Sequence, residues 1–258
     1  MRVHIVTPAN RGLYGVQLEQ MHRQRREVFI DRLGWSEIDT GEELERDEFD
    51  TPDTFYLLLL GDIGEVLGSA RLLPTWKPHL FETTLGDFLS DRERARGAGI
   101  WEVSRWIAGP GFDPKTDKVC RALMFAALAE FGLHFGATAV VASVDETFMA
   151  YFKEIGVPIE TLGGPVSYGQ GQGYAVRCEV SVAALRGIRA LMKLKSPAAF
   201  SAGAFLDDRA NDPVRWAILD RLLEVENRSH LESLLGAIHM LTEAALGPVE
   251  PETVRRRA

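Results

Sequence analysis

Two of the most β-prone stretches of this chain carry charges in their interior. Arg71 stands inside Gly68-Ser69-Ala70-Arg71-Leu72-Leu73-Pro74-Thr75, and Glu102 and Arg105 stand inside Trp101-Glu102-Val103-Ser104-Arg105-Trp106. A sheet that buries such strands has to supply each ionised group with counter-charges or hydrogen bonds, because an unpaired buried charge is costly. A structural ion pair between Arg71 and Glu102 is the simplest arrangement that meets the demand. Strand alternation places Glu102, Ser104 and Trp106 on one face and Trp101, Val103 and Arg105 on the other.

The remaining pattern surrounds these strands with α and β elements. Val3–Val6 is short and β-branched, as a first strand would be. Val16, Leu18, Met21, Val28 and Phe29 alternate with charges between Tyr14 and Asp31, as on amphipathic helices, until Gly34 stops the pattern. Glu37–Asp53 is acidic with one large aromatic, Phe49, and reads on its own as a solvated loop. Phe55–Leu60 and Glu65–Leu73 flank Gly61-Asp62-Ile63-Gly64 as a hairpin. Trp101–Ala108 is a further strand, closed by Gly109-Pro110-Gly111. Val119–Phe135 has helical spacing and ends at Gly136. A buried strand at Ala139–Ala142, a short helix at Thr147–Ile155 and a last strand at Tyr174–Val182 follow. This order predicts an α/β sandwich around a mixed sheet. Past Ser196-Pro197 the chain turns small and polar from Ala198 to Asp212, a linker, and then shows two helical patterns at Val214–Glu226 and Leu231–Leu246.

Composition narrows the function. A net charge of −8 argues against nucleic acid as a partner, although a local basic patch can still dock an acidic one. No apolar run reaches membrane-span length and the N-terminus lacks the features of a signal peptide, which points to the cytoplasm. Cys120 and Cys178 are far apart and the histidines form no ligand pair, so the expectation is buried free thiols and no metal.

Four clusters pair charge with aromatics. They are Arg25, Phe29 and Trp35, with Arg25 and Phe29 one helical turn apart; Asp47-Glu48-Phe49-Asp50; the Arg71 strand, followed by Phe81; and Glu102, Ser104 and Arg105. Singly, each is explained by a charged surface or a satisfied ion pair. Together, in this order and spacing, they resemble the acyl-homoserine lactone synthases, the autoinducer synthases of quorum sensing, over about residues 1 to 195. That resemblance implies an α/β fold like the GCN5-type acetyltransferases, a three-layer sandwich whose mixed central sheet is split to admit an acyl chain. It sets a domain boundary at 195, with 196–258 as linker and C-terminal helical extension.

The activity it implies joins an acyl thioester to S-adenosylmethionine and lactonises the product. S-adenosylmethionine is then a substrate, and no cofactor is implied. Acyl carrier protein is the preferred donor, with acyl-CoA as the alternative. Glu102 becomes the candidate base, held by Arg105 or Arg71. Arg25, Phe29, Trp35, Asp47, Asp50, Phe81 and Ser104 become substrate-binding candidates. Trp101, Ser143, Phe148, Met149 and Phe152 become the acyl pocket, although core packing alone would also explain those apolar residues.

Two rivals compete. A generic GCN5-type N-acetyltransferase holds pyrophosphate on a glycine-bearing loop opening a helix, and the matching stretch, Asp117-Lys118-Val119-Cys120-Arg121-Ala122, has no glycine. A degenerate binding module would not need Arg25, Glu102 and Arg105 intact. A basic segment, Ser181–Lys195, carries Arg186, Arg189, Lys193 and Lys195 without an acid and is a candidate docking surface for a carrier protein, although cations at a helix C-terminus also compensate its dipole; Lys118 with Arg121, or Lys153, are the other candidates.

Overall fold

A computed structural model describes residues 1–109, 111, 113–154, 157–168 and 171–201. The helical patterns expected at Val214–Glu226 and Leu231–Leu246 lie outside the described residues, as do Pro110 and Gly156, which were expected to close elements.

The elements run β1 (Arg2–Val6), α1 (Gly15–Arg25), a π-helical stretch (Arg26–Arg32), β2 (Phe55–Leu60), β3 (Val66–Pro74), β4 (Ile100–Ala108), α2 (Pro114–His134), β5 (Ala139–Asp145), α3 (Glu146–Glu154), β6 (Ile159–Thr161), β7 (Val166–Tyr168), β8 (Gly171–Glu179), α4 (Val182–Met192) and β9 (Ala199–Phe200). Among the described residues these strands form one mixed sheet in the order β6-β8-β5-β4-β3-β2-β1-β9, with β7 on β8. The β4–β5 and β1–β9 pairs are parallel and the others antiparallel.

Period-2 patterning in β2 sorts the two faces. Tyr56, Leu58 and Leu60 pack with Tyr14 and Met21 under α1, while Phe55 meets Phe131 of α2 on the other side. Helices on both faces of the sheet give the three layers the resemblance implied. Helix α2 starts earlier than its apolar spacing suggested, because Asp113 caps it through the Lys115 and Thr116 amides and Pro114 takes a first-turn position that needs no N–H.

One boundary moves. The tail read as a linker from Ala198 is partly core: Ala198, Ala199 and Ser201 are buried, and β9 pairs with β1. The carboxylate of Glu130, fully buried on α2, accepts the Ala198 amide at 2.9 Å and the Ala199 amide at 2.7 Å. Such a carboxylate is indistinguishable in sequence from helix surface charge. Strands β6 and β7 were also missed, being too short to show a period.

The sheet opens where it matters for a site. Parallel pairing of β4 with β5 stops at Val103↔Ala142, although both strands continue. Beyond it, Ser104–Trp106 and Ser143–Asp145 diverge around a cavity.

Candidate active site

The acidic segment expected to be solvated folds inward. Its turn at 47–50 is self-closed: the Asp50 amide donates to the Asp47 carbonyl at 3.0 Å, the Phe49 amide to Asp47 Oδ1 at 2.9 Å, and the Asp47 amide to Asp50 Oδ2 at 3.0 Å. Phe49 is buried with Leu73 and Leu80 and anchors the turn. What pulls the acids in is three arginines from three elements. Arg25 of α1 grips Asp50 with both Nη atoms, at 2.8 and 2.9 Å, and also donates to Glu45. Arg71 of β3 donates to Asp47 and to Ser104 Oγ (3.0 Å) and lies 3.1 Å from Asp50. Arg105 of β4 donates to Glu45 Oε1 at 3.1 and 2.9 Å and to Asp47 Oδ2 at 3.0 Å. Tyr56 Oη adds a bond to Asp50 Oδ1 at 2.8 Å.

Arg105 reaches this cluster through a break in the alternation. Arg71 pairs with Ser104 but Ser69 pairs with Ile107, so β4 carries an extra residue there, and Arg105 has φ 51°, in the left-handed region. The bulge turns Arg105 to the side of Ser104 and Arg71. Trp106 goes to the α2 side against Phe125, with ring centroids 4.8 Å apart. The assignment of these two residues from strict alternation is therefore inverted. Close approach at the bulge also needs Gly68, where a Cβ would stand 2.6 Å from the Ile107 carbonyl oxygen.

Electrostatics separates the acids. Burial works against ionisation of Asp50, but the bidentate Arg25 and the Arg71 charge hold its carboxyl well below the usual range. Glu45 is likewise lowered: burial opposes ionisation, and Arg25 and Arg105 override it. Glu102 goes the other way. Burial pushes its carboxyl up to about 7, against the lowering effect of the Phe81 amide and the Arg71 charge. Neither Arg71 nor Arg105 bonds to it, which corrects the expectation that one of them would hold it. Oε2 accepts the Phe81 amide at 3.0 Å, while Oε1, like Arg71 Nη2, is buried without a partner among the described residues. An Arg71–Glu102 ion pair is not formed, because Arg71 is already paired to Asp47 and Asp50.

A cavity of about 780 Å³ runs past this cluster and through the β4–β5 split. One arm is lined by Phe29, Trp35, Glu45, Asp47, Ser104 and Arg105. Phe29 and Trp35 stack at 4.9 Å and 22°, with the Arg105 guanidinium 5.8 Å from the Phe29 ring. The other arm is apolar and lies between β5, α2, α3 and α4, walled by Phe125, Leu128, Phe148, Phe152, Val176 and Ile188.

Of the expected site residues, Arg25, Asp50, Arg71, Phe81 and Glu102 sit one layer behind the wall. In the expected acyl pocket, Ser143, Phe148 and Phe152 line the cavity, whereas Trp101 and Met149 do not. Trp101 is instead in an aromatic cluster with Phe55, Trp76 and Phe131, at centroid distances of 5.1, 5.4 and 5.0 Å. Sequence reasoning missed Glu45, Tyr56, Trp106 and Phe125. Glu45 left a trace as an acid two residues before Asp47, and Trp106 as the end of the charged β4 stretch.

Comparisons with known proteins identify the family. A sequence model described as autoinducer synthase matches residues 11–188. The acyl-homoserine-lactone synthase of Agrobacterium fabrum is 34% identical over 174 residues, covering 66% of this chain and 82% of the relative. The isovaleryl-homoserine lactone synthase of Bradyrhizobium diazoefficiens is 31% identical over 163 residues, covering 63% and 73%. The solved structure of a CoA-dependent acyl-homoserine lactone synthase with SAM and isopentyl-CoA superposes with a TM-score of 0.71 at 27% identity, covering 83% of this chain and 99% of that one.

Proposed function

The chain belongs to the autoinducer synthase family and is an acyl-homoserine-lactone synthase; from that premise we propose that the charged arm of the cavity holds S-adenosylmethionine and the apolar arm the acyl chain. The observation that carries this division is one continuous cavity lined by residues of both β4 and β5 where their pairing stops, which would let two chemically unlike substrates meet beside Ser104 and Arg105.

In the first step the α-amine of S-adenosylmethionine attacks the thioester carbonyl, the carbon–sulfur bond breaks, and the amine loses a proton. Glu102 is the proposed ultimate acceptor of that proton. Being one layer behind the wall, it acts through an intervening group, and a carboxyl pushed up to about 7 is matched to neutral pH. In the second step the substrate carboxylate oxygen attacks the γ-carbon and neutral methylthioadenosine departs. The sulfonium is already positive, so this step needs orientation rather than an acid, and good orientation is worth roughly 7–11 kcal/mol. The Phe29–Trp35 stack offers a π face to adenine or the sulfonium, and Asp47 offers an acceptor. Arg25, Arg71 and Asp50 hold that acceptor in place from behind.

Acyl carrier protein is the donor we favour. Asp113 Oδ1 accepts the Lys115 amide at 3.0 Å and the Thr116 amide at 3.2 Å, so a carboxylate occupies the α2 terminus where a CoA pyrophosphate would be cradled in an acetyltransferase. That terminus, not the Asp117–Ala122 stretch, opens the helix, so the earlier sequence match was set too far along. The surface we assign to an acidic carrier is the basic run of α4 and its C-terminus, where Arg186 and Arg189 are half-buried and Lys193 and Lys195 exposed. CoA thioester is the second reading, favoured by the likeness to a CoA-dependent synthase.

One assay tests both levels. With S-adenosylmethionine and an acyl thioester the protein is expected to release methylthioadenosine in step with lactone. Thioester consumption without methylthioadenosine would indicate a simple N-acyltransferase, and consumption of neither a binding module. With matched chains, a higher kcat/KM for the carrier-protein thioester, falling with salt and with charge reversal at Arg186 and Arg189, is expected. A higher kcat/KM for acyl-CoA would overturn the donor assignment.

A further inference from the structure

We propose that Glu130 is a positioning residue for the apolar arm: by gripping the start of β9 from inside α2, it holds α4 as a fixed wall over the acyl chain and so sets which chain lengths are accepted. The inference rests on the reading of that arm given above.

Helix α4 reaches the cavity through Ala184 and Ile188. Its start is fixed locally. Ser181 Oγ accepts the Ala184 amide at 3.1 Å, and Val180 packs so close to α2 that a Cβ on Gly132 would stand 2.8 Å from Val180 Cγ1. Its end is fixed at a distance. The helix stops at Lys193, in the left-handed region, with the Leu194 amide on the Arg189 carbonyl at 2.9 Å, and the chain runs through 194–198 into β9. By itself β9 is a weak anchor. It has two residues and one neighbouring strand, β1, whose Val3 amide donates to the Ala198 carbonyl at 3.1 Å. Strands in folded proteins usually run about 3–10 residues.

Glu130 supplies what the short strand lacks. It is fully buried, and a carboxylate taken out of water has to find donors. Oε2 accepts the Ala199 amide at 2.7 Å and the Ala198 amide at 2.9 Å, and Oε1 lies 3.2 Å from the Ala198 nitrogen. Charge-assisted bonds of this kind are about twice as strong as neutral ones. Residues 128–132 of α2 therefore serve three contacts at once: Leu128 and Ala129 line the cavity, Glu130 grips β9, and Gly132 admits Val180 at the approach to α4. The two helical walls of the apolar arm are tied through this one stretch. Loosening β9 would let the end of α4 move off α2 and widen the arm at Ile188, while Phe29, Trp35 and Arg105 in the charged arm keep their places.

The test uses the full chain with Glu130→Gln, with Ala199→Pro, and with the two combined. Gln keeps the shape but loses the charge and turns one acceptor into a donor, while Pro removes the amide of the 2.7 Å bond. Each single variant is expected to raise amide hydrogen exchange in α4 and to flatten the kcat/KM preference among acyl thioesters of graded length by about tenfold. The KM for S-adenosylmethionine should stay within about twofold. The double variant should do no more than either single one, because both break the same contact. Either single variant decides alone if the other does not fold. Unchanged exchange in α4, additive effects in the double variant, or a general loss of stability with the length preference intact would overturn the assignment. If exchange in α4 rises and the KM for S-adenosylmethionine moves in place of the length preference, the assignment of the two arms fails while the hold of Glu130 on α4 stands.

Discussion

On one side of the β4–β5 split, Arg25, Arg71 and Arg105 are locked to Glu45, Asp47 and Asp50 by directional bonds. On the other, Leu128, Val140, Phe152, Val176 and Ile188 wall the cavity by packing alone. The two arms obey different physics. A hydrogen-bonded ion cluster has one good arrangement, because a partner lost in low dielectric leaves a charge uncompensated. Apolar burial is non-directional, and several side chains of similar volume serve equally. On the assignment proposed above, the chemistry is thus held in one arrangement while the acyl chain is left adjustable. Substitutions on each side measure whether that division is real.

The largest contrast should be in stability. Asp50→Asn keeps the side-chain volume but strips the counter-charge from Arg25 and Arg71 and an acceptor from Tyr56. Breaking such a buried pair typically costs about 3–5 kcal/mol. Ile188→Val in the apolar arm should cost only about 0.5–1.5 kcal/mol. Urea titrations of the two variants give the comparison, and equal losses would mean that the charged cluster is not specially constrained.

Next in size is Glu102→Gln. Loss of a general base should lower kcat on the order of 10²-fold, and a kcat within about threefold of the unaltered protein would remove Glu102 from the reaction. With a carboxyl near 7, kcat/KM of the unaltered protein should fall as pH drops below about 7, and the variant should lose that limb. Stability moves the opposite way. The folded state holds the Glu102 proton more tightly than the unfolded chain, so stability falls as pH rises from the ordinary 4.5 to about 7. Glu102→Gln has no such penalty. Its melting temperature should gain on that of the unaltered protein across that window, and a difference independent of pH would contradict the raised carboxyl.

These two arms were unequally legible in the sequence. Arg71 and Glu102 announced themselves because a charge inside an apolar strand needs a reason, and the aromatic–charge spacing around Arg25 and Asp47 supplied the rest. The partner choice was not legible. A single extra residue in β4 swapped the faces of Arg105 and Trp106, and a one-residue bulge has no compositional signature. Glu45 was hidden among other acids, since only the turn at 47–50 determines which of them faces inward. The apolar arm could be foreseen only as a list of core residues, and it failed where core and cavity diverge, at Trp101 and Met149.

A smaller effect is expected at the rim of the charged arm. Trp35 is half-buried and stacks on Phe29 at 4.9 Å. Trp35→Ala should raise the KM for S-adenosylmethionine by an amount corresponding to roughly 0.5–2 kcal/mol, the range of a cation–π or stacking contact. A rise in the acyl-donor KM instead would mean that the arms have been assigned the wrong way round.

The smallest effect on the protein, and the sharpest on its product, belongs to Ala184. It stands in the first turn of α4, where its amide donates to Ser181 Oγ at 3.1 Å and its side chain faces the cavity. Ala184→Val adds two methyl groups to the apolar wall without touching any charge. Helix propensity should cost at most about 0.7 kcal/mol, and the added bulk projects into empty volume rather than into packed core. Total methylthioadenosine release with a short acyl thioester should therefore stay close to that of the unaltered protein. Long chains should lose, since a pocket too small by one methylene discriminates by about 1–3 kcal/mol. Lactone masses from the two proteins, fed the same mixture of acyl thioesters, read the shift directly. An unchanged distribution would place the end of the acyl chain away from α4. A collapse of turnover with every chain length would show that the apolar arm is as intolerant as the charged one, and would remove the contrast between them.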